Sequence, residues 1–102
     1  MPNIYVSTNA GSAPQSVAVG TSSGTLIVKN VNRAGLVIIN TSSSTMYLAF
    51  DGLAATLNAG IVLTPNGGAF SMDDYTFTRG TIKAIAHVAL SNAAVQEFYI
   101  GI

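Results

Sequence analysis

Residues 35 to 52, GLVIINTSSSTMYLAFDG, restrict the fold more than any other stretch of the chain. Leu36, Val37, Ile38 and Ile39 form a β-branched apolar run too short for a helix, the pattern of a strand covered on both faces. Asn40 to Thr45 is polar and interrupts the run. Beyond it, Met46, Leu48 and Phe50 alternate with Tyr47 and Ala49, a period of two that places one set of side chains on the inner face of a sheet. The chemistry of this stretch is packing, and it carries no catalytic constellation.

The same alternation predicts strands over residues 3–7, 15–19, 25–29, 61–63, 69–72 and 75–78, with turn clusters between them. Val17 and Val19 share a face in the second of these. Pro65-Asn66-Gly67-Gly68 reads as a tight turn whose glycines can take positive φ. Only residues 51–60 have the propensity for a short helix, and a non-helical connection is expected there. In residues 81–90, TIKAIAHVAL, helix and strand compete; the entry from Arg79-Gly80 and the β-branched content favour a strand with Ile82, Ala84, Ala86 and Val88 on one face. Ser91-Asn92 then turns the chain into a last strand, residues 95–102, with Phe98, Ile100 and Ile102 facing inward. Strands recurring at this spacing predict an all-β fold over residues 1–102 as one domain, an antiparallel β-sandwich or jelly-roll-like barrel with little or no helix. Leu36, Ile38, Leu48, Phe50, Ile82, Ala84 and Phe98 are its expected core.

Composition narrows the function classes. Charged residues make up 8% of the chain, against about 25% in ordinary soluble domains, while 49% of residues are hydrophobic. Ser, Thr, Asn and Gly must therefore supply most of the surface polarity, or partners must cover much of the surface, since interface cores are depleted in Lys, Glu and Asp. Lys29, Arg33, Arg79 and Lys83 balance Asp51, Asp73, Asp74 and Glu97 to a net charge of zero. Four scattered cations cannot make the basic stripe that phosphate neutralisation needs, so no nucleic-acid partner is expected. No basic amphipathic helix is visible, and the apolar stretches fall far below the roughly 20 residues of a membrane span, so no membrane role is expected. The first residues, Met1-Pro2-Asn3, carry no export signal pattern, and the absence of cysteine excludes disulfides and thiolate metal sites from these 102 residues.

The residues able to carry chemistry favour structural roles. Asp73-Asp74 is the one adjacent carboxylate pair, but neighbours in an extended chain point to opposite faces, so turn capping outweighs acid–base catalysis or calcium recruitment. His87 has no second histidine and no cysteine to complete a zinc site, and no defensible Ser-His-Asp order exists around it; a strand histidine facing polar neighbours or an interface is expected. Asn40-Thr41-Ser42 matches the N-glycosylation pattern by chance, within a turn. Gly67-Gly68 lacks the Lys and the helix of a phosphate loop. Tyr5, Tyr47, Tyr75 and Tyr99 could stack on sugars, but tyrosines in β domains are more often rim and interface residues. No catalytic, cofactor-binding or metal residues are assigned, and no cofactor is expected.

The pattern Arg33-x-x-Leu36-x-Ile38-x-Asn40, followed by Tyr47-Leu48-Ala49-Phe50, resembles small structural proteins of tailed-bacteriophage virions. Residues 60–63, the Gly67-Gly68 turn, residues 81–86 and Gln96-Glu97-Phe98 extend the resemblance over roughly residues 26 to 100. It implies a compact β-sandwich without catalytic residues that decorates or cements a capsid: a non-enzymatic virion protein made in the host cytoplasm, seated on the major capsid protein or another virion protein as a homo-oligomer, with a trimer favoured. The alternative is a glycan-binding or adaptor module of a phage head or tail fibre. An exposed shelf of two or more tyrosines would mark the binder, and apolar side chains on a contact face would mark the decoration protein.

Overall fold

Among the described residues nine strands form where apolar and polar side chains alternate, and none of these residues is helical. The computed structural model describes residues 9–73 and 76–100. Its strands are β1 (Asn9–Gly11), β2 (Gln15–Val19), β3 (Gly24–Ile27), β4 (Arg33–Asn40), β5 (Met46–Ala49), β6 (Ile61–Leu63), β7 (Ala69–Ser71), β8 (Ile82–Ala86) and β9 (Ser91–Ile100). One sheet runs β1-β9-β4-β7, with β2 lying beyond β1 along the same edge of β9; the other runs β3-β8-β5-β6. All pairings are antiparallel. From β2 onward, the orders 2-9-4-7 and 3-8-5-6 are those of a jelly roll, the sandwich in which the chain repeatedly crosses from one sheet to the other.

The core lies between the sheets. Leu36 and Ile38 of β4 face it with Ala93 and Val95 of β9 and Phe70 of β7; Met46, Leu48, Leu63, Ile82, Ala84 and Ala86 face them from the second sheet. Phe50 packs on this cluster from the rim, its ring 5.2 Å from Phe70 across the sandwich. Tyr47, Ala55 and Ile85 form a smaller cluster on the outer side of the second sheet, where the connection of residues 50–60 lies over the strands. The strands covered on both faces are therefore β5 and β8. β4 was expected to be covered in that way, but its Val37 and Ile39 are only half-buried.

Two polar side chains close the ends of β4. Register shifts between Arg33 and Gly35 where β4 meets β9, and the extra residue turns the Arg33 side chain to the same side as Leu36, Ile38 and Asn40. Arg33 is fully buried. Its Nε donates to Glu97 Oε2 at 2.6 Å, Nη1 to the carbonyls of Thr78 and Gly80 at 2.9 Å each, and Nη2 to the Val28 carbonyl at 2.8 Å. One guanidinium thus holds β9 and the β3–β4 and β7–β8 connections together. At the other end Asn40, also fully buried, donates from Nδ2 to the carbonyls of Ser44 at 2.7 Å and Leu63 at 2.9 Å, tying β4 to β6 of the opposite sheet. Its Oδ1 accepts from the amide and hydroxyl of Ser42.

Several expectations are corrected by this arrangement. The inner face of β9 is Ser91, Ala93, Val95 and Glu97, so Phe98 and Ile100 point outward; Ile102 lies outside the described residues. The parity follows from the pairing of the buried Leu36, Ile38 and Asn40 with Glu97, Val95 and Ala93, and Glu97 meets Arg33 on that inner face. Phe98 leaves the expected core and lies between two glycines, where a methyl group on Gly11 would come 3.4 Å from its ring and one on Gly35 3.9 Å from it. β8 stops at Ala86, and residues 87–90 form a turn, so Val88 is exposed. β9 begins at Ser91 rather than at residue 95. Residues 76–78 are not a strand, and the expected strand at residues 3–7 lies outside the described residues. The Pro65-Asn66-Gly67-Gly68 turn is present: Gly67 takes φ 123°, and Gly68 is required by close approach, since a Cβ there would collide with the Thr64 backbone.

Replacing Arg33 by Ala leaves the Glu97 carboxylate and three carbonyls without their donor, and should lower unfolding free energy by about 3 to 5 kcal/mol. Glu97→Gln keeps an acceptor for Nε and the three carbonyl bonds but removes the counter-charge of the buried guanidinium, and should cost a smaller though still substantial part of this. Urea unfolding of both variants checks the order; an Arg33→Ala protein as stable as the parent would refute this role.

Candidate functional site

The residues with chemical potential are dispersed and engaged in holding turns. Asp73 Oδ1 accepts from the Thr76 amide at 3.0 Å and the Thr76 hydroxyl at 2.9 Å, the turn-capping arrangement expected of it. Asp74, Tyr5 and Tyr75 lie outside the described residues. Among the described residues no three of His, Cys, Asp and Glu come together as metal ligands. The acceptor amide of Asn40-Thr41-Ser42 is buried and doubly engaged, so the folded chain offers no glycosylation site there.

His87 is not the strand residue expected; it is exposed in the β8–β9 turn. Its Nε2 lies 2.9 Å from the hydroxyl of Tyr47, which also donates to Asn58 Oδ1 at 3.0 Å. A Tyr47 hydroxyl that donates to Asn58 can accept from Nε2 in the tautomer that carries its proton there. The rings meet edge to face at 5.4 Å. Tyr47 itself is buried, and its role is to fasten the 50–60 connection, which Ser23 Oγ also holds by accepting from the Ala55 amide at 2.8 Å. Tyr99 sits on the other sheet, opposite Arg33. The two described tyrosines therefore make no common shelf for a sugar.

The surface instead presents apolar groups. Val28, Val31, Phe77, Tyr99 and Ile100 are exposed around the Arg33 end, where the Arg79 guanidinium lies 4.8 Å over the Phe77 ring and donates from Nε to the Arg33 carbonyl. On the outer face of the first sheet, Val37 and Ile39 of β4, Ala94 and Gln96 of β9, and Pro14 and Gln15 at the start of β2 line a depression of about 250 Å³ without a charged side chain. At the end opposite Arg33, Val88 and Leu90 project from the β8–β9 turn. Among the described residues four non-glycine residues have positive φ: Asp51, Asn58, Asn66 and Leu90. Asp and Asn tolerate this region, but for a branched aliphatic residue it costs about 1 kcal/mol. Leu90 takes it at φ 65° while remaining 90% exposed, so burial within its own chain does not offset that cost.

Sequence reasoning missed Arg33 as a buried residue and Leu90 as a projecting one. The signal for Leu90 was the unbroken apolar alternation that carries residues 81–90 past the end of β8. Tyr47→Phe should lower stability by about 1 kcal/mol and speed amide exchange in residues 53–60 selectively, as read by hydrogen exchange with mass spectrometry. Unchanged exchange there would show that Tyr47 does not hold the connection.

No protein-family model matches the chain, and no curated protein matches it. A solved structure with a similar arrangement is described by the words "Bacillus endospore appendages form a novel family of disulfide-linked pili", at 14% identity over 93% of this chain and 90% of that chain, with a TM-score of 0.49. A likeness at that level carries no information on what this chain does.

Proposed function

We propose that this chain is a non-enzymatic structural subunit of a tailed-bacteriophage virion, a capsid decoration protein that associates with further copies of itself and seats on the major capsid protein. The supporting observation is the balance of its surface. Ten large hydrophobic side chains are exposed among the described residues, whereas the chain has only eight charged residues, and the fold places Arg33 fully inside with Glu97 against it. A free monomer lacks the dispersed charge that keeps small domains apart in solution, and an apolar, charge-poor exterior is what a residue buried against partners requires. Jelly rolls occur in capsid and lectin domains alike, so the surface rather than the fold selects between those uses. Closed symmetry is the economical outcome for identical chains, and a trimer suits a local threefold axis of a shell.

Co-sedimentation with shells assembled from a major capsid protein encoded in the same genome as this chain tests the reading. Binding at a fixed ratio of copies per shell site is expected. A chain that stays in the supernatant with both compact and expanded shells overturns the capsid assignment.

A further inference from the structure

We propose that Leu90, with Val88 beside it, is a knob that seats in the apolar depression between Val37, Ile39, Ala94 and Pro14 of a second copy of this chain. This deepens the self-association in the reading above and makes no use of its capsid assignment.

The knob is presented rather than merely uncovered. Leu90 is 90% exposed and Val88 57% exposed, and among the described residues Leu90 is the one aliphatic residue of the four non-glycine residues with positive φ. The turn that carries them is braced from below. The buried Ser91 hydroxyl donates to the Val88 carbonyl at 2.8 Å and lies 2.8 Å from the Ser44 hydroxyl. The Thr41 amide and hydroxyl donate to the Asn92 carbonyl at 3.2 and 3.1 Å, locking the turn to the β4–β5 connection. A turn whose backbone is already braced loses little backbone freedom on association.

The depression matches the knob in chemistry and size. Its lining is aliphatic with Gln15 and Gln96 at the sides and no charge, so an apolar side chain enters without stranding an ion. A volume of about 250 Å³ exceeds the roughly 150 Å³ that accommodates a benzene-sized apolar guest, leaving room for two branched side chains. The occupant cannot be the chain's own Leu90. Four residues of extended strand, about 13 Å, separate it from Ala94 along β9. Knob and depression are different patches, so each copy can give one and receive one, and the contact is heterologous: it closes into a ring or propagates.

Two variants separate the halves. Leu90→Asn removes the knob, suits the positive φ and leaves the depression intact; Ala94→Glu charges the depression and leaves the knob, with Val37→Lys as a second variant of the same kind should Ala94→Glu fail to fold. Sedimentation velocity at micromolar concentration should show the parent chain associating and each variant alone weakened about thirtyfold or more, the size of a lost hot spot. Leu90→Asn should also melt no lower than the parent. An equimolar mixture of Leu90→Asn with Ala94→Glu holds one intact knob and one intact depression, and should form a heterodimer and nothing larger. Association of Leu90→Asn equal to the parent's, or a mixture that stays monomeric, overturns the proposal. Heterodimers that form while the parent fails to bind shells would sustain it and overturn the capsid assignment alone.

Discussion

The buried guanidinium of Arg33 is the interaction on which the rest of this structure depends. A charge without exposure is tolerable only when its donors are met and its charge is balanced, and here one carboxylate and three carbonyls do both. The three carbonyls belong to two connections that share no sequence neighbourhood, Val28 on one side and Thr78 with Gly80 on the other. Arg33 therefore substitutes for packing at an end of the sandwich where the strands no longer supply it. The register shift turns its side chain to the side of Leu36, while the regular pairing of Leu36, Ile38 and Asn40 with Glu97, Val95 and Ala93 sets which residues of β9 face the core.

Asn40 performs the corresponding task seven residues later in neutral form, using both faces of its amide to join β4, the β4–β5 connection and β6. Between these two lie Leu36 and Ile38, whose burial supplies the apolar part of the strand's stability. The string Arg33-x-x-Leu36-x-Ile38-x-Asn40 is thus one structural device: two apolar side chains in the core, closed at each end by a polar group with its hydrogen bonds met.

How much of this was legible in the sequence follows from the range of each interaction. The alternation in β5, the apolar run of β4 and the turn at residues 65–68 are local patterns, and they were readable as such. The jelly-roll order is not local, since β9 pairs with β1, β2 and β4 across most of the chain. Phe98 and Ile100 read as an inner face because an ionisable Glu97 reads as solvated; only its pairing with Arg33, 64 residues away, reverses the choice. Arg33 itself looked like one of four scattered cations. The turn at residues 87–90 was hidden for the opposite reason: it contains no Gly, Asn or Pro to announce positive φ, so its apolar residues continued the strand pattern. Asp73 caps a turn at Thr76, a contact local enough to be read from turn chemistry, whereas His87 and Tyr47 meet only through folding.

The proposal that copies of this chain meet through apolar surface rests on its few charges, two of which form an ion pair at the buried Arg33. Its most direct test is the salt dependence of self-association, measured by sedimentation velocity from about 0.05 to about 1 M NaCl, a range over which screening lengths fall several-fold. Association that holds or tightens with salt is the predicted result. A steep loss of association as salt rises would contradict it, because it would mean that the few exposed charges, rather than the apolar surface, bring the copies together.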